Sequence, residues 1–566
     1  MKSFVLSCTS ICIALGLECS PANKPAKSDG KGQASAAAPK KKNKMTIGVA
    51  QEPDTLFMPF KEMMISEEIA RPTSYTLTVF DDDWKLIPWS AKSIPTVENG
   101  GLELFEENGV QKMRTTWTIK DEFNWADGKP LTGDDYAFTH ELIMDPNLEI
   151  IDRSTDEKIE KIEVKGADRK TFVVTWKERY AYYHNYRNHM AVPKHIVEPL
   201  YRKDPGSLKK HAFGTRPILA GAFTIKEWVP GSHVTVVKNK YAKGFLQPAL
   251  DEITWRFIPQ TNTLEANLVS GSVDAISPGW LSFDQGLEFE KRMDKTKFNI
   301  EFTSGLVWEH IDFNLDNEIF KDKRVRQAFA YGANREIISK ELFEGKQKVA
   351  HGTEPVRSKY HNPDVKKYNF DLAKANALLE EAGWKKGEGD IRMKAGKPLQ
   401  VTLMTTAANR TREQVQVLLQ SQWRKMGADV KIRNEPAKVF FGETLRHRKY
   451  PGMAMYAWVK DPVALSDTLW RCDYIPNKKN NFQGQNQPGY CNPKVDKLLK
   501  AASQELNDEK RFKMGREVDA ILAVDLPALP LFFRVDVSVY RTDLQNWKPT
   551  GTLQPVTWNA HEWAFK

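Results

Sequence analysis

The sequence predicts an α/β protein of more than one lobe, with a β-rich subdomain inserted into the first. Its 566 residues exceed what a single hydrophobic core holds, at about 100–200 residues per unit. From Met45 onward, helical and strand periodicities interleave. Residues 83–215 break that rhythm with hairpin-like turns and many aromatic and Thr positions.

The clearest α/β unit lies late in the chain. Leu399, Val401 and Leu403 alternate as a half-buried strand does. After a turn at 409–411, Val415, Leu419, Trp423 and Met426 recur at helical spacing, and Gly427 supplies a stop. Val430 and Ile432 resume the alternation. A second helix is expected over 371–382, ended by Gly383. Strands alternating with helices imply largely parallel sheets. In the β-rich region, Asn99-Gly100-Gly101 and Asp127-Gly128 are turn signals. Thr132, with Asp135 three residues on, reads as a helix N-cap related to the capping box.

Residues 1–19 read as an export signal. The apolar run 4–17 follows Lys2 and is too short to span a bilayer. Residues 20–44, rich in Pro, Ala, Ser, Gly and Lys, read as a disordered basic linker. That linker holds much of the formal net charge of +10. The excess therefore sits in a tail, which argues against a nucleic-acid partner.

Of five cysteines, Cys8 and Cys12 lie in the signal and Cys19 just after it, leaving Cys472 and Cys491 in the body. An even pair in an exported chain favours a disulfide. Cys19, directly after the apolar run and before a flexible linker, looks like the lipidated N-terminus of bacterial lipoproteins. Glu18 departs from the small residues usual before such a cysteine, and cleavage after Ala22 is the alternative. The protein is expected to be exported, periplasmic or in the cell envelope, with Cys19 as the tether if it is lipidated.

The chain carries no G-x-S-x-G elbow, no H-E-x-x-H and no phosphate-cradling G-x-x-x-x-G-K-[ST]. His184, His189 and His195 cluster in an aromatic stretch, but their spacing fits no ligand pattern. No cofactor, metal or enzymatic role is expected. A secreted hydrolase is the competing class, and it lacks a recognisable nucleophile or metal set.

Five segments, in order, resemble the extracytoplasmic solute-binding proteins of family 5, the oligopeptide-, dipeptide- and nickel-binding receptors of ABC importers. Residues 116–139, TWTIKDEFNWADGKPLTGDDYAFT, match the family's strand, D-G turn and capped helix, with Gly133 where Ala is usual. Residues 221–274 contain GAFTIKEWVPGSHVTVVKN and RFIPQTNTLEANLVSGSVD. FNLDNEIFKDKRVRQAFAYGANR at 313–335, the helix within 369–384, and YCNPKVDKL at 490–498 followed by Leu526-Pro527 complete the set.

The resemblance implies the two-lobed periplasmic-binding-protein fold, type II and of the large peptide-binding class, with an extra subdomain in lobe one. Lobe I would take 45–84, 216–305 and 535–566, the subdomain 85–215, and lobe II 306–534. It also implies a monomer that closes about a hinge on a peptide or peptide-like ligand and docks on ABC permease subunits. A nickel chelate, opine or glycoside is the alternative ligand. In peptide-binding members, an aspartate in a W-x-x-D segment pairs with the ligand's α-ammonium, and Trp458-Val459-Lys460-Asp461 stands in the matching place. Trp458 would form an apolar wall beside it. Asp461-Pro462 also reads as a helix N-cap followed by Pro. Glu52, Asp54 and Thr55 lie where the family's first strand borders the cleft, as backbone partners of an extended peptide or as an ordinary turn. Trp308 and Trp280 are cleft candidates on aromatic grounds, among 16 tryptophans.

Overall fold

The computed structural model describes residues 42–150, 152–184, 190–387, 389–552 and 554–566. The signal, the linker up to residue 41, Cys8, Cys12, Cys19 and His189 lie outside the described residues.

The βαβ unit read from periodicity forms as strand Gln400–Thr406, helix Arg410–Arg424 and strand Asp429–Glu435. The two strands pair in parallel. Asn409 caps the helix by accepting from the Arg412 amide, and Gly427 (φ +87°) ends the turn behind it. With Met453–Val459 these strands form one end of a ten-stranded sheet. The other end runs Ala275–Ile276, Lys44–Val49, Glu252–Phe257, His233–Lys238 and Phe223–Val229.

Two long strands, Phe298–Phe313 and Ala528–Arg541, join the ends. They run antiparallel to each other, and the first is antiparallel to Met453–Val459. The sheet is therefore mixed rather than largely parallel. Among the described residues, its parallel pairing is confined to the neighbours of Lys44–Val49 and Gln400–Thr406. The chain passes from one half of the molecule to the other and back through the long pair, and such a return is necessarily antiparallel. Their register slips between Ser304 and Trp308. Gly305 lies there, and the Leu306 amide donates to the Gly551 carbonyl at 3.1 Å.

The β-rich region forms its own four-stranded antiparallel sheet from Leu102–Glu107, Val110–Thr118, Thr171–Trp176 and Ile159–Lys165. Trp117 and Trp176 are fully buried, and both indole N–H groups donate to Thr115 Oγ1. Gly128 (φ +91°) makes the expected turn, and a Cβ there would lie 2.8 Å from the Tyr241 ring. Helix Gly133–Met144 opens with the Thr132–Asp135 capping box, the Thr132 amide donating to Asp135 Oδ2 at 2.9 Å.

Apolar packing follows the two halves. One core gathers Ile47, Leu77, Trp117, Trp255 and Trp563. Another gathers Phe313, Phe329, Leu403, Leu419 and Trp423. Cys472 and Cys491 are joined by a disulfide in the second half.

Candidate functional site

A cavity of about 410 Å³ lies between the halves, within the range of about 300–1,000 Å³ usual for small-ligand sites. The first half contributes Lys61, Glu67, Arg71 and the strand residues Thr78 and Phe80. The inserted subdomain adds Thr139, Ile143 and Met190, and the chain's end adds Thr552 and Gln554. Leu306 and residues 459–462 close it from the second half.

Asp461 is part of that wall. Its Oδ1 accepts from the Val463 and Ala464 amides at 2.8 and 3.0 Å. No helix begins at Pro462, however: residues 462–464 form a bend and the next helix is Asp467–Trp470, so the helix-capping reading fails and Asp461 closes a local turn at the cavity wall. Lys460, next to it, sends its ammonium to Glu354 Oε1 at 2.8 Å, over the face of Trp308. Both partners are buried. The Lys460 charge is thus spent on Glu354, inside the second half.

Trp458 is half-buried, edge-on to Tyr456, one residue before the lining residue Val459. Trp308, expected at the cleft, is instead wholly buried, stacked on His310 with ring centres 4.1 Å apart. Its strand position pairs it directly with Trp458, and it is the inner partner.

Glu52, Asp54, Thr55 and Trp280 are not among the lining residues, and each has local work. Glu52 accepts from Trp228 Nε1 and the Gly231 amide, tying the first strand's end to a hairpin. Asp54 accepts from the Glu62 amide and Ser66, ahead of and within helix Met64–Ala70. Thr55 bonds the Gly214 carbonyl and the Phe57 amide. Trp280 donates to Glu68, which also accepts from Ser277 and Trp255. Burial pushes the Glu68 carboxyl above its usual range despite these donors.

The charged lining groups that sequence reasoning missed are Lys61, Glu67, Arg71 and Asp152. Glu67 and Arg71 stand one turn apart on helix Met64–Ala70 and its C-terminal cap, and form an ion pair. The second Glu67 oxygen pairs with Lys61. Burial works against ionising Glu67, but Arg71 and Lys61 outweigh it and hold the carboxyl below its usual range. The acidic pair followed by Arg71-Pro72 was the available signal: a basic residue at a helix end just before a proline stop.

His195 pairs with Asp127 at 2.7 Å, and His184 is buried beside Tyr183. Among the described residues, no group of three or more His, Cys, Asp and Glu is placed to hold a metal ion. Among them, too, no helix is long and apolar enough to cross a membrane.

The family model "Bacterial extracellular solute-binding proteins, family 5 Middle" matches residues 85–480. The oligopeptide-binding protein AppA of Bacillus subtilis is 27% identical over 559 residues, covering 97% of this chain and 96% of that protein. The nickel-binding periplasmic protein of Escherichia coli is 25% identical over 494 residues, covering 85% and 87%. The crystal structure of an oligopeptide-binding protein from Thermus thermophilus, complexed with a pentapeptide, superposes with a TM-score of 0.68 at 30% identity, covering 92% of this chain and 96% of that one. Fold, cavity and family match lead to one assignment: the chain belongs to the bacterial extracellular solute-binding proteins of family 5.

Proposed function

We propose that the protein is the exported receptor of an ABC importer, capturing short peptides in the cavity between its lobes and handing them to a membrane permease. The observation that carries this reading is the cavity itself: both halves line it, and it offers a carboxylate, Asp461, from one side and cations from the other. Asp461 takes the ligand's α-ammonium, a charge-assisted contact, with Trp458 packed behind it. The relatives that bind oligopeptides support the peptide class. The family is one of binding receptors, and no enzymatic role is proposed.

Lobe I takes 45–84, 216–305 and 535–566, the subdomain 85–215, and lobe II 306–534. The register slip between Ser304 and Trp308 supports a hinge there. Hinge closure about a bound ligand is a population shift between open and closed forms. The receptor acts as a monomer, tethered through Cys19 when that residue is lipidated.

The test is mass spectrometry of small molecules released by denaturing natively purified protein, with Asp461→Ala in parallel. Mixed-sequence peptides of narrow length, lost from Asp461→Ala, are expected. A single non-peptide species in both proteins would overturn the peptide assignment. The nickel-binding relative makes a chelate the specific second reading, and such a species would appear in the same spectrum.

A further inference from the structure

We propose that the inserted subdomain takes part in ligand capture. Its segment 179–183 is a strap that grips the second half, and Tyr182 on it is a positioning residue for the turn that carries Asp461. The proposal deepens the receptor reading above and rests on it for the motion of the two halves.

The strap is rooted in the subdomain's own sheet. It follows strand Thr171–Trp176, and the Arg179 amide donates to the Gln111 carbonyl at 2.9 Å. The Tyr180 and Trp176 ring centres lie 5.4 Å apart, and the Tyr183 hydroxyl donates to the Pro95 carbonyl at 2.6 Å. Between these anchors, Ala181 and Tyr182 turn to the second half. The Ala181 amide donates to the Ser503 carbonyl at 2.8 Å. The Tyr182 hydroxyl, on a side chain only 6% exposed, accepts from the Leu465 amide at 3.3 Å. Leu506, just beyond helix Pro493–Gln504, packs against the core of the first half.

Leu465 stands at the end of the turn that Asp461 closes through the Val463 and Ala464 amides. The second half braces that turn with its own tyrosine: the Tyr360 hydroxyl donates to the Val463 carbonyl at 2.8 Å. Arg511 links the two braces. Its Nε donates to the Tyr360 hydroxyl at 3.2 Å, and its guanidinium lies 6.0 Å from the Tyr182 ring centre.

The two tyrosines differ in which body carries them. Tyr360 moves with the turn, so its bond persists in every arrangement of the halves. The Tyr182 bond exists only while the subdomain and the second half touch. Buried amides need acceptors, and for Ala181 and Leu465 the acceptor lies across this contact. Separation returns both to water. The subdomain also lines the cavity through Thr139, Ile143 and Met190. The strap therefore favours the arrangement in which the cavity wall is complete, and it biases the open–closed population toward capture.

Hydrogen exchange at single-amide resolution on the full chain, with wild type, Tyr182→Phe and Leu506→Ala, tests the strap without any ligand. Tyr182→Phe keeps the ring and removes the acceptor. Exchange at the Ala181 amide, whose own acceptor neither variant touches, is expected to rise about two- to tenfold. The Arg179 amide, bonded within the subdomain, should be unchanged. Unchanged exchange at Ala181, or an equal rise at Arg179, would overturn the strap, since local loosening of the segment moves both. Release of a mixture of tri- to pentapeptides with free termini is then followed by stopped flow. Dissociation should quicken by a similar factor with association unaltered. Exchange that rises while peptides leave at the wild-type rate would overturn the positioning role of Tyr182. If wild type binds none of these peptides, the peptide reading falls, and the exchange result decides the strap by itself.

Discussion

Lys460 and Glu354 form a buried ion pair, 2.8 Å long, directly behind the wall that carries Asp461. The Trp308 face covers the ammonium at 5.5 Å from its ring centre. A lysine in the middle of the binding segment therefore serves the lobe's interior. Replacing Lys460 by Met leaves Glu354 buried and without its cation. The expected cost is about 3–5 kcal/mol in urea unfolding. The double variant Lys460→Met/Glu354→Gln should recover most of that loss, and failure to recover would show that the pair is not the source.

Asp519 adjoins the same cluster. Burial, and then the Glu354 carboxylate beside it, push its carboxyl up to about 7, against the lowering pull of Thr353 and Lys460. Its Oδ2 is buried without a partner among the described residues. Between the unfolded value near 4 and about 7, the folded state holds a proton that the unfolded chain has lost. This group's contribution to stability therefore falls as pH rises through that window. His351 and His561, held at about 4 by burial, act in the opposite direction below 6.5. The measurement is thus a difference: wild type minus Asp519→Asn, melted from pH 4 to 8. The variant should gain relative to wild type as pH rises, with the gain levelling above about pH 7. A pH-independent difference would refute the shift.

Gly551 sits at the crossing of the two long strands with φ +71°. A Cβ there would lie 2.4 Å from the Ser304 carbonyl oxygen, so both strain and collision oppose substitution. Gly551→Ala is expected to cost about 1–2 kcal/mol for the left-handed backbone alone, plus the displacement of Ser304. Because the register slip lies here, the variant should also alter ligand-induced compaction, read by small-angle scattering. A variant that melts and compacts like wild type would count against a close-packed crossing.

The Cys472–Cys491 disulfide spans 19 residues of sequence. Cys491→Ser with Cys472→Ser is expected to lower stability by about 3 kcal/mol through loop entropy. Denaturant midpoints with and without reductant provide the check, since wild type plus reductant should approach the double variant.

Local order was legible in the sequence. The strand–helix–strand of 400–435, the Gly128 turn and the Thr132–Asp135 cap were readable because each depends on residues a few positions apart. The ordered motifs from 116 to 498 carried the family and thereby the two-lobed fold. What the sequence by itself could not determine was which side chains meet across the molecule. Glu52 looks like a cleft residue until Trp228, 176 positions away, takes its carboxylate. Trp308 and Trp458 are alike in composition and opposite in exposure, because the packing around their paired strands decides which one faces the core. Arg71 becomes a site residue only when Lys61, Glu67 and residues 459–462 are brought around one cavity. Periodicity and turns are set by local sterics and capping, while burial and charge pairing are set by what distant chain delivers to the same place. The tertiary structure alone decides that.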